Sequence, residues 1–189
     1  MERDSTFKEH HFFELQRRES LNNGLSLLVG IVALLASGAV TMCKGLSLDG
    51  SASDMFLSSA LILTAGALSV TVICMIVSIF GYTYAYFPDT NELLRTRGEF
   101  ITYHSNGQEA AEDARKVALD DFAQEIERIY AQNASMNGAT NDKRSRWVFF
   151  ANRAVVVSLV LFAVSGGGYL ANTIGATEKP VRVLINNLE

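Results

Sequence analysis

Residues 55–87 run for 33 positions without a single charged side chain. Residues 24–42 form a shorter uncharged block before it, and residues 147–175 form a third block interrupted only by Arg153. A helix needs about 20 consecutive apolar residues to cross the hydrocarbon core of a bilayer. Each block meets or approaches that length, so the sequence predicts an all-α polytopic membrane protein with three transmembrane helices. Its polar remainder predicts a small helical module in the cytoplasm.

Whole-chain averages conceal this pattern, because charged residues still make up 19% of the chain. Local windows decide the assignment. A net charge of −4 argues against a protein that coats nucleic acid. The two cysteines, Cys43 and Cys74, suit neither a metal site nor a disulfide framework and are read as small packing residues. The first 20 residues hold more acidic than basic side chains, unlike the positive start of a secretory signal, and Met42 is too large for the position before a lipoprotein cysteine. The first block is therefore expected to be a retained span.

Basic residues set the expected orientation. Arg3, Lys8, Arg17 and Arg18 precede the first span, and Arg95, Arg97, Arg115, Lys116, Arg128, Lys143, Arg144 and Arg146 lie between the second and third. Only Lys44, Lys179 and Arg182 fall on the other side, giving twelve against three. Lys and Arg are retained in the cytoplasm. The N-terminus (residues 1–23) and the long segment 88–146 are thus expected inside, the turn 43–54 and the tail 176–189 outside. Tyr82, Tyr84, Tyr86 and Trp147 would then lie at the inner interface, where aromatic belts form.

Within this frame, residues 5–20 can form a helix of thin apolar content, lying on the membrane surface or packed against the cytoplasmic segment. The second block would reach about 50 Å as a helix, against a hydrocarbon core of about 30 Å. It must tilt, break near Gly81, or project from the membrane. The reading adopted is a helix over 55–87 that projects into the cytoplasm and ends before Pro88, because the residue before proline resists helical geometry. Ala111, Ala114, Ala118, Phe122, Ile126 and Ile129 recur at helical spacing and predict an amphipathic helix over 108–131. Residues 133–141 then read as a connector. The module is small for an independent core, and self-association would supply the missing burial.

Several residues are candidates for function. Thr64, Thr71 and Ser78 are seven apart, and Ser158, Ser165 and Asn172 line one face of the third span. Such hydroxyl stripes either line a wetted path or bond to the carbonyl four residues back. Ser26, Gly30, Ala33 and Ser37 would let another helix approach closely, within the chain or from a second copy. Asp54 and Asp89 bracket the second span. They would form carboxylate rings at the mouths of a symmetric pore, with helix capping a competing role for Asp54. Arg153 is either a functional intramembrane charge or a snorkelling one. Arg95, Arg97, Arg115, Lys116, Arg128, Lys143, Arg144 and Arg146 are candidates for an anionic ligand, against a simpler use in orientation and lipid contact. The Gly166–Gly168 triplet reads as a packing site or a hinge. No zinc motif, phosphate loop or nucleophile elbow occurs, so no enzyme, metal or cofactor is expected.

A short arginine-bearing helix (ELQRRESLNN) leads into a tight pair of spans (GLSLLVGIVALLASGAVTM and MFLSSALILTAGALSVTVICMIVSIF), followed by a helical cytoplasmic segment. This arrangement resembles the SLATT-type and related small transmembrane effectors of bacterial anti-phage systems. The resemblance implies a homo-oligomeric channel or membrane-disrupting effector in the inner membrane. It also implies control by a nucleotide or short oligonucleotide that a partner nucleotidyltransferase makes. The alternative is a non-conducting scaffold or regulatory subunit that docks a soluble partner.

Overall fold

The computed structural model describes residues 6–45, 52–106 and 111–177, and among them every regular element is a helix. There are four: α1 (Thr6–Lys44), α2 (Ala52–Ile79), α3 (Thr90–Ser105) and α4 (Ala111–Thr177). Three of them, α1, α2 and α4, are long and apolar enough to cross a membrane. The expected turn between the first two spans and the expected external tail fall largely outside the described residues, as do Arg3, Lys179 and Arg182.

The chain divides into two compact units. A polar one takes in residues 1–24 and 77–146, and an apolar one takes in 25–76 and 147–189. The N-terminal segment and the long polar segment therefore pack in the same unit. Helices α1, α2 and α4 each run through both.

The apolar unit is built on a heptad. In α2 the buried positions include Asp54, Leu57, Leu61, Thr64, Leu68, Thr71 and Met75, alternating three and four residues apart. In α1 the same register buries Leu25, Leu28 and Leu35. In α4 it buries Ala151, Val155, Ser158 and Ser165. An apolar seam repeating every seven residues keeps facing its neighbours only if the helices wrap with a left-handed supercoil. One layer of this core joins Leu25 and Leu28 of α1, Cys74 and Met75 of α2, and Ala151 and Val155 of α4. The small residues on the α4 seam admit close backbone approach, and the resulting van der Waals contact is what holds helices together in lipid. Gly166 and Gly168 belong to this packing: a Cβ on the first would lie 3.3 Å from Met42, and one on the second 3.6 Å from Phe56.

The outer surface of this unit is as apolar as its inside. Leu27, Leu34, Ile62, Ile73, Val160 and Ile174 are all more than half exposed. A water-soluble monomer rarely shows an apolar patch beyond a few hundred Å². A hydrocarbon environment accounts for all of these side chains together, and a helix suits it because its backbone groups bond within the segment.

Several sequence expectations are corrected. The second helix does not continue to residue 87: it ends at Ile79, and Gly81 takes a φ of +85°. That left-handed geometry is open to glycine and costly for residues with a Cβ. Residues 82–89 follow without helical structure, so the block breaks near Gly81 and does not project as a helix. The residues read as a connector, 133–141, lie inside α4, which runs unbroken for 67 residues from the amphipathic segment through the third apolar block. The N-terminal helix and first span are likewise one helix of 39 residues. Finally, α3 had no counterpart in the sequence reading. It has no buried residue and meets α4 through Phe100 against Phe122 and a 2.9 Å contact between His104 and Asp121.

Candidate functional site, a buried polar cluster at the end of α2

The polar unit keeps its most ordered chemistry in its interior. Arg144 of α4 is only 4% exposed, and all three of its nitrogens are bonded. Nε donates to the Ser78 carbonyl at 2.8 Å, Nη1 to the Tyr84 hydroxyl at 2.8 Å and Nη2 to Asn22 Oδ1 at 2.7 Å. Ser78 lies in the last turn of α2, where carbonyls have no partner within the helix and the helix dipole is negative. A guanidinium is well suited to that place, since its planar fork serves several acceptors at once.

Hydrogen bonds continue from there. The Tyr84 hydroxyl accepts from Arg144 and donates to Asn141 Oδ1 at 2.7 Å. Asn141 Nδ2 then donates to the Glu14 carbonyl at 2.8 Å and to the Glu14 carboxylate at 2.9 Å. A buried cation and a buried carboxylate are thus linked through a phenol and an amide. Arg17 Nη1 stands 3.6 Å from the same carboxylate and His10 3.8 Å from it. The Arg17 guanidinium also bonds Asp142 at 2.7 Å, and that hydrogen bond is the main cause of its raised pKa.

A ladder of asparagines holds the segment after Gly81 against α4. Asn137 Oδ1 accepts from the Ala85 amide at 2.8 Å, while its Nδ2 donates to the Ala85 carbonyl at 2.9 Å. This is the exchange that a neighbouring β-strand would make with residue 85. Asn133 Nδ2 adds a bond to the Tyr86 carbonyl at 3.1 Å. Asn133, Asn137 and Asn141 are four apart, so one helix face carries all three. Without them the backbone after the break would be left short of partners, at about 1–3 kcal/mol per buried group. Arg18 completes the enclosure: its guanidinium lies 4.7 Å from the centre of the Tyr84 ring and bonds the Tyr86 hydroxyl. Farther along, Phe87 stacks on Tyr130 at 4.4 Å.

His11 stands beside this cluster. It is 2% exposed, its ring centre is 5.6 Å from those of Phe12 and Tyr130, and its Nδ1 has no partner. Burial lowers its pKa below the ordinary 6.5. The unfolded chain therefore takes up a proton that the folded chain resists. Stability present above the unfolded value is lost as pH falls through the folded one. Thermal unfolding of the detergent-solubilised protein should shift to lower temperature between about pH 7.5 and pH 5.5. His11→Phe, which keeps the ring and removes the titrating nitrogens, should flatten that dependence.

The sequence candidates fare differently. Arg144 is a buried structural cation and no longer a free ligand contact. Arg95 pairs with Glu99 at 2.8 Å, and Arg128 pairs with Glu125, which lowers the glutamate's pKa. Arg97, Arg115, Lys116, Lys143 and Arg146 are exposed. A cavity of about 140 Å³ between α3 and α4 is lined by Pro88, Glu92, Leu93, Thr96, Phe122, Glu125, Ile126 and Ile129. It gathers none of the basic candidates, and its two carboxylates disfavour a phosphate. Among the described residues no group of three or more His, Cys, Asp or Glu is placed to hold a metal ion.

Thr64, Thr71, Ser78, Ser158 and Ser165 are all wholly buried within the chain's own packing. Four of the hydroxyls bond the carbonyl four residues back, at 2.8 to 3.0 Å, and the Ser78 hydroxyl has no partner. Asn172 lies in α4, with its side chain outside the described residues. Asp54 is buried in the first turn of α2, two residues past the helix start, so it does not occupy the cap position. Asp89 is the exposed N-cap residue of α3, and its carbonyl accepts from the Leu93 amide at 3.0 Å. Ser26, Gly30, Ala33 and Ser37 are exposed, on the side of α1 away from the core. Arg153 is exposed and lies over the Phe149 ring at 4.3 Å.

Sequence reasoning missed Glu14, His11, Asn22, Asn133, Asn137 and Asn141. The four-residue spacing of the asparagines was visible, but their composition suggested a loop. No family model, curated protein or solved structure matches the chain.

Proposed function

We infer that the chain is a membrane effector that assembles into a homo-oligomeric ion channel or pore of bacterial anti-phage immunity. Its N-terminus and polar unit face the cytoplasm of the inner membrane, and its C-terminus lies outside. A nucleotide or short oligonucleotide made by a partner nucleotidyltransferase controls it through the polar unit, and it carries out no catalysis. The observation that most supports this reading is the fixing of the last turn of α2 by Arg144, which Tyr84 and Asn22 hold in turn. A signal that rearranges this cluster acts directly on the end of a helix long enough to cross a membrane. Three helices cannot enclose a water path in lipid, so conduction needs several copies. In such an assembly the Thr64 and Thr71 hydroxyls already bond within each protomer, and the exposed face of α1 that carries Gly30, Ala33 and Ser37 meets a neighbouring copy.

The same burial of Thr64, Thr71, Ser158 and Ser165 favours the second reading, a non-conducting scaffold whose polar unit docks a soluble partner. Liposomes containing the purified protein separate the two. Potassium efflux that appears on adding a nucleotide or oligonucleotide is expected for the channel. Sealed liposomes under every such ligand, with the protein inserted and folded, would leave the scaffold.

A further inference from the structure

Arg153 has no carboxylate partner among the described residues, and its position on α4 is unusual for a charge. It follows Trp147 by six residues, which places its Cα about 9 Å farther along the helix. Ala151 and Val155, two residues to either side, face the core at 0% and 3% exposure. At 100° per residue, Arg153 therefore points away from the other helices, among the exposed Phe149, Phe150, Val156 and Val157. An unpaired guanidinium on that surface would be costly in hydrocarbon.

The side chain itself shows how the cost is met. Side chains on a helix lean toward its N-terminus. Here the Arg153 guanidinium lies over Phe149, one turn back toward Trp147, at 4.3 Å from the ring centre. Its level is thus nearer that of the tryptophan, a residue type that settles at the headgroup boundary. The ring lies beneath the guanidinium carbon, and no carboxylate among the described residues takes the N–H groups. A guanidinium edge matches the two free oxygens of a phosphodiester.

We propose that Arg153 and Phe149 form a binding site for the phosphate headgroup of an anionic phospholipid, in the leaflet that meets the Trp147 end of α4. The site rests on the membrane-spanning reading of α4 but not on conduction. Phe149 holds the guanidinium at the boundary, and the lipid phosphate takes the place of the missing carboxylate. Trp147, 38% exposed on the same helix, reports on lipids nearby.

It is also the chain's single tryptophan, which makes the test direct. The full chain is placed in vesicles of mixed phosphatidylglycerol and phosphatidylcholine, with one or the other lipid brominated on its acyl chains over the same series of mole fractions. Brominated phosphatidylglycerol is expected to quench Trp147 at a mole fraction about five-fold lower than brominated phosphatidylcholine, the preference that one basic residue near a charged surface provides. Arg153→Gln should erase the difference while both lipids still quench, and Phe149→Leu should reduce it. Equal quenching in the parent protein, or an unchanged preference in Arg153→Gln with its helical circular dichroism intact, overturns the site. Failure of either lipid to quench overturns the placement of α4 in the bilayer, and the site with it.

Discussion

Arg144→Leu should destabilise the polar unit by about 3 kcal/mol or more, with thermal unfolding in detergent lowered by on the order of 10 °C. The substitution fills much of the same volume, so the effect comes from the polar atoms left behind. The Ser78 carbonyl, the Tyr84 hydroxyl and Asn22 Oδ1 each lose a charged donor, and the first of them belongs to a wholly buried residue. Glu14, at the other end of the hydrogen-bonded chain, keeps Arg17 at 3.6 Å, so the loss is concentrated at these three acceptors. Arg144→Lys keeps the charge but cannot bond all three acceptors with one ammonium, so it should recover only part of the loss. Arg146→Gln, an exposed change two residues away, should stay within about 0.5 kcal/mol. Differential scanning fluorimetry on the four proteins checks the order. If Arg144→Leu matched Arg146→Gln, the cluster would not be what secures the end of α2.

Asn137→Ala should free the chain after the break. Both bonds from the Asn137 amide go to the backbone of Ala85, so one truncation leaves an N–H and a C=O unpaired. The expected cost is about 2 kcal/mol, which corresponds to a roughly 30-fold faster hydrogen exchange at the Ala85 amide. Asn137→Asp is the sharper variant. It can still accept from the Ala85 amide but cannot donate to the carbonyl, and it brings a charge into a site with no exposure. It should be at least as damaging as alanine. Asn133→Ala removes a single bond at 3.1 Å from a less buried place and should cost under about 1 kcal/mol. Exchange at Ala85 that does not respond to Asn137 would show that the segment is held by its aromatic contacts instead, chiefly Phe87 on Tyr130.

The parts of this protein that were legible in advance are those governed by one-dimensional patterns. Three uncharged or nearly uncharged blocks announced three long apolar helices, and the small-residue and hydroxyl stripes lie on those helices. Their partners were not legible. Thr64 and Ser158 lie on seams of the heptad, and whether such a seam faces a lumen or another helix of the same chain depends on packing. Local chemistry also misled. Asn and Gly between residues 133 and 141 have turn-forming composition, yet the helix continues through them because their amides find partners across the unit. The α2 block appeared long enough to project, and the glycine that ends it was one of several in apolar sequence.

Apolar length alone therefore determined that the chain is helical and that three helices suit a bilayer, because hydrocarbon admits few alternatives for a backbone. Only the tertiary structure decided that α2 stops at Ile79, that α4 does not stop at residue 133, and that Arg144 is an internal strut while Arg153 faces outward. Those outcomes depend on which buried donor meets which acceptor, and that matching is made between residues as far apart in sequence as Glu14 and Asn141.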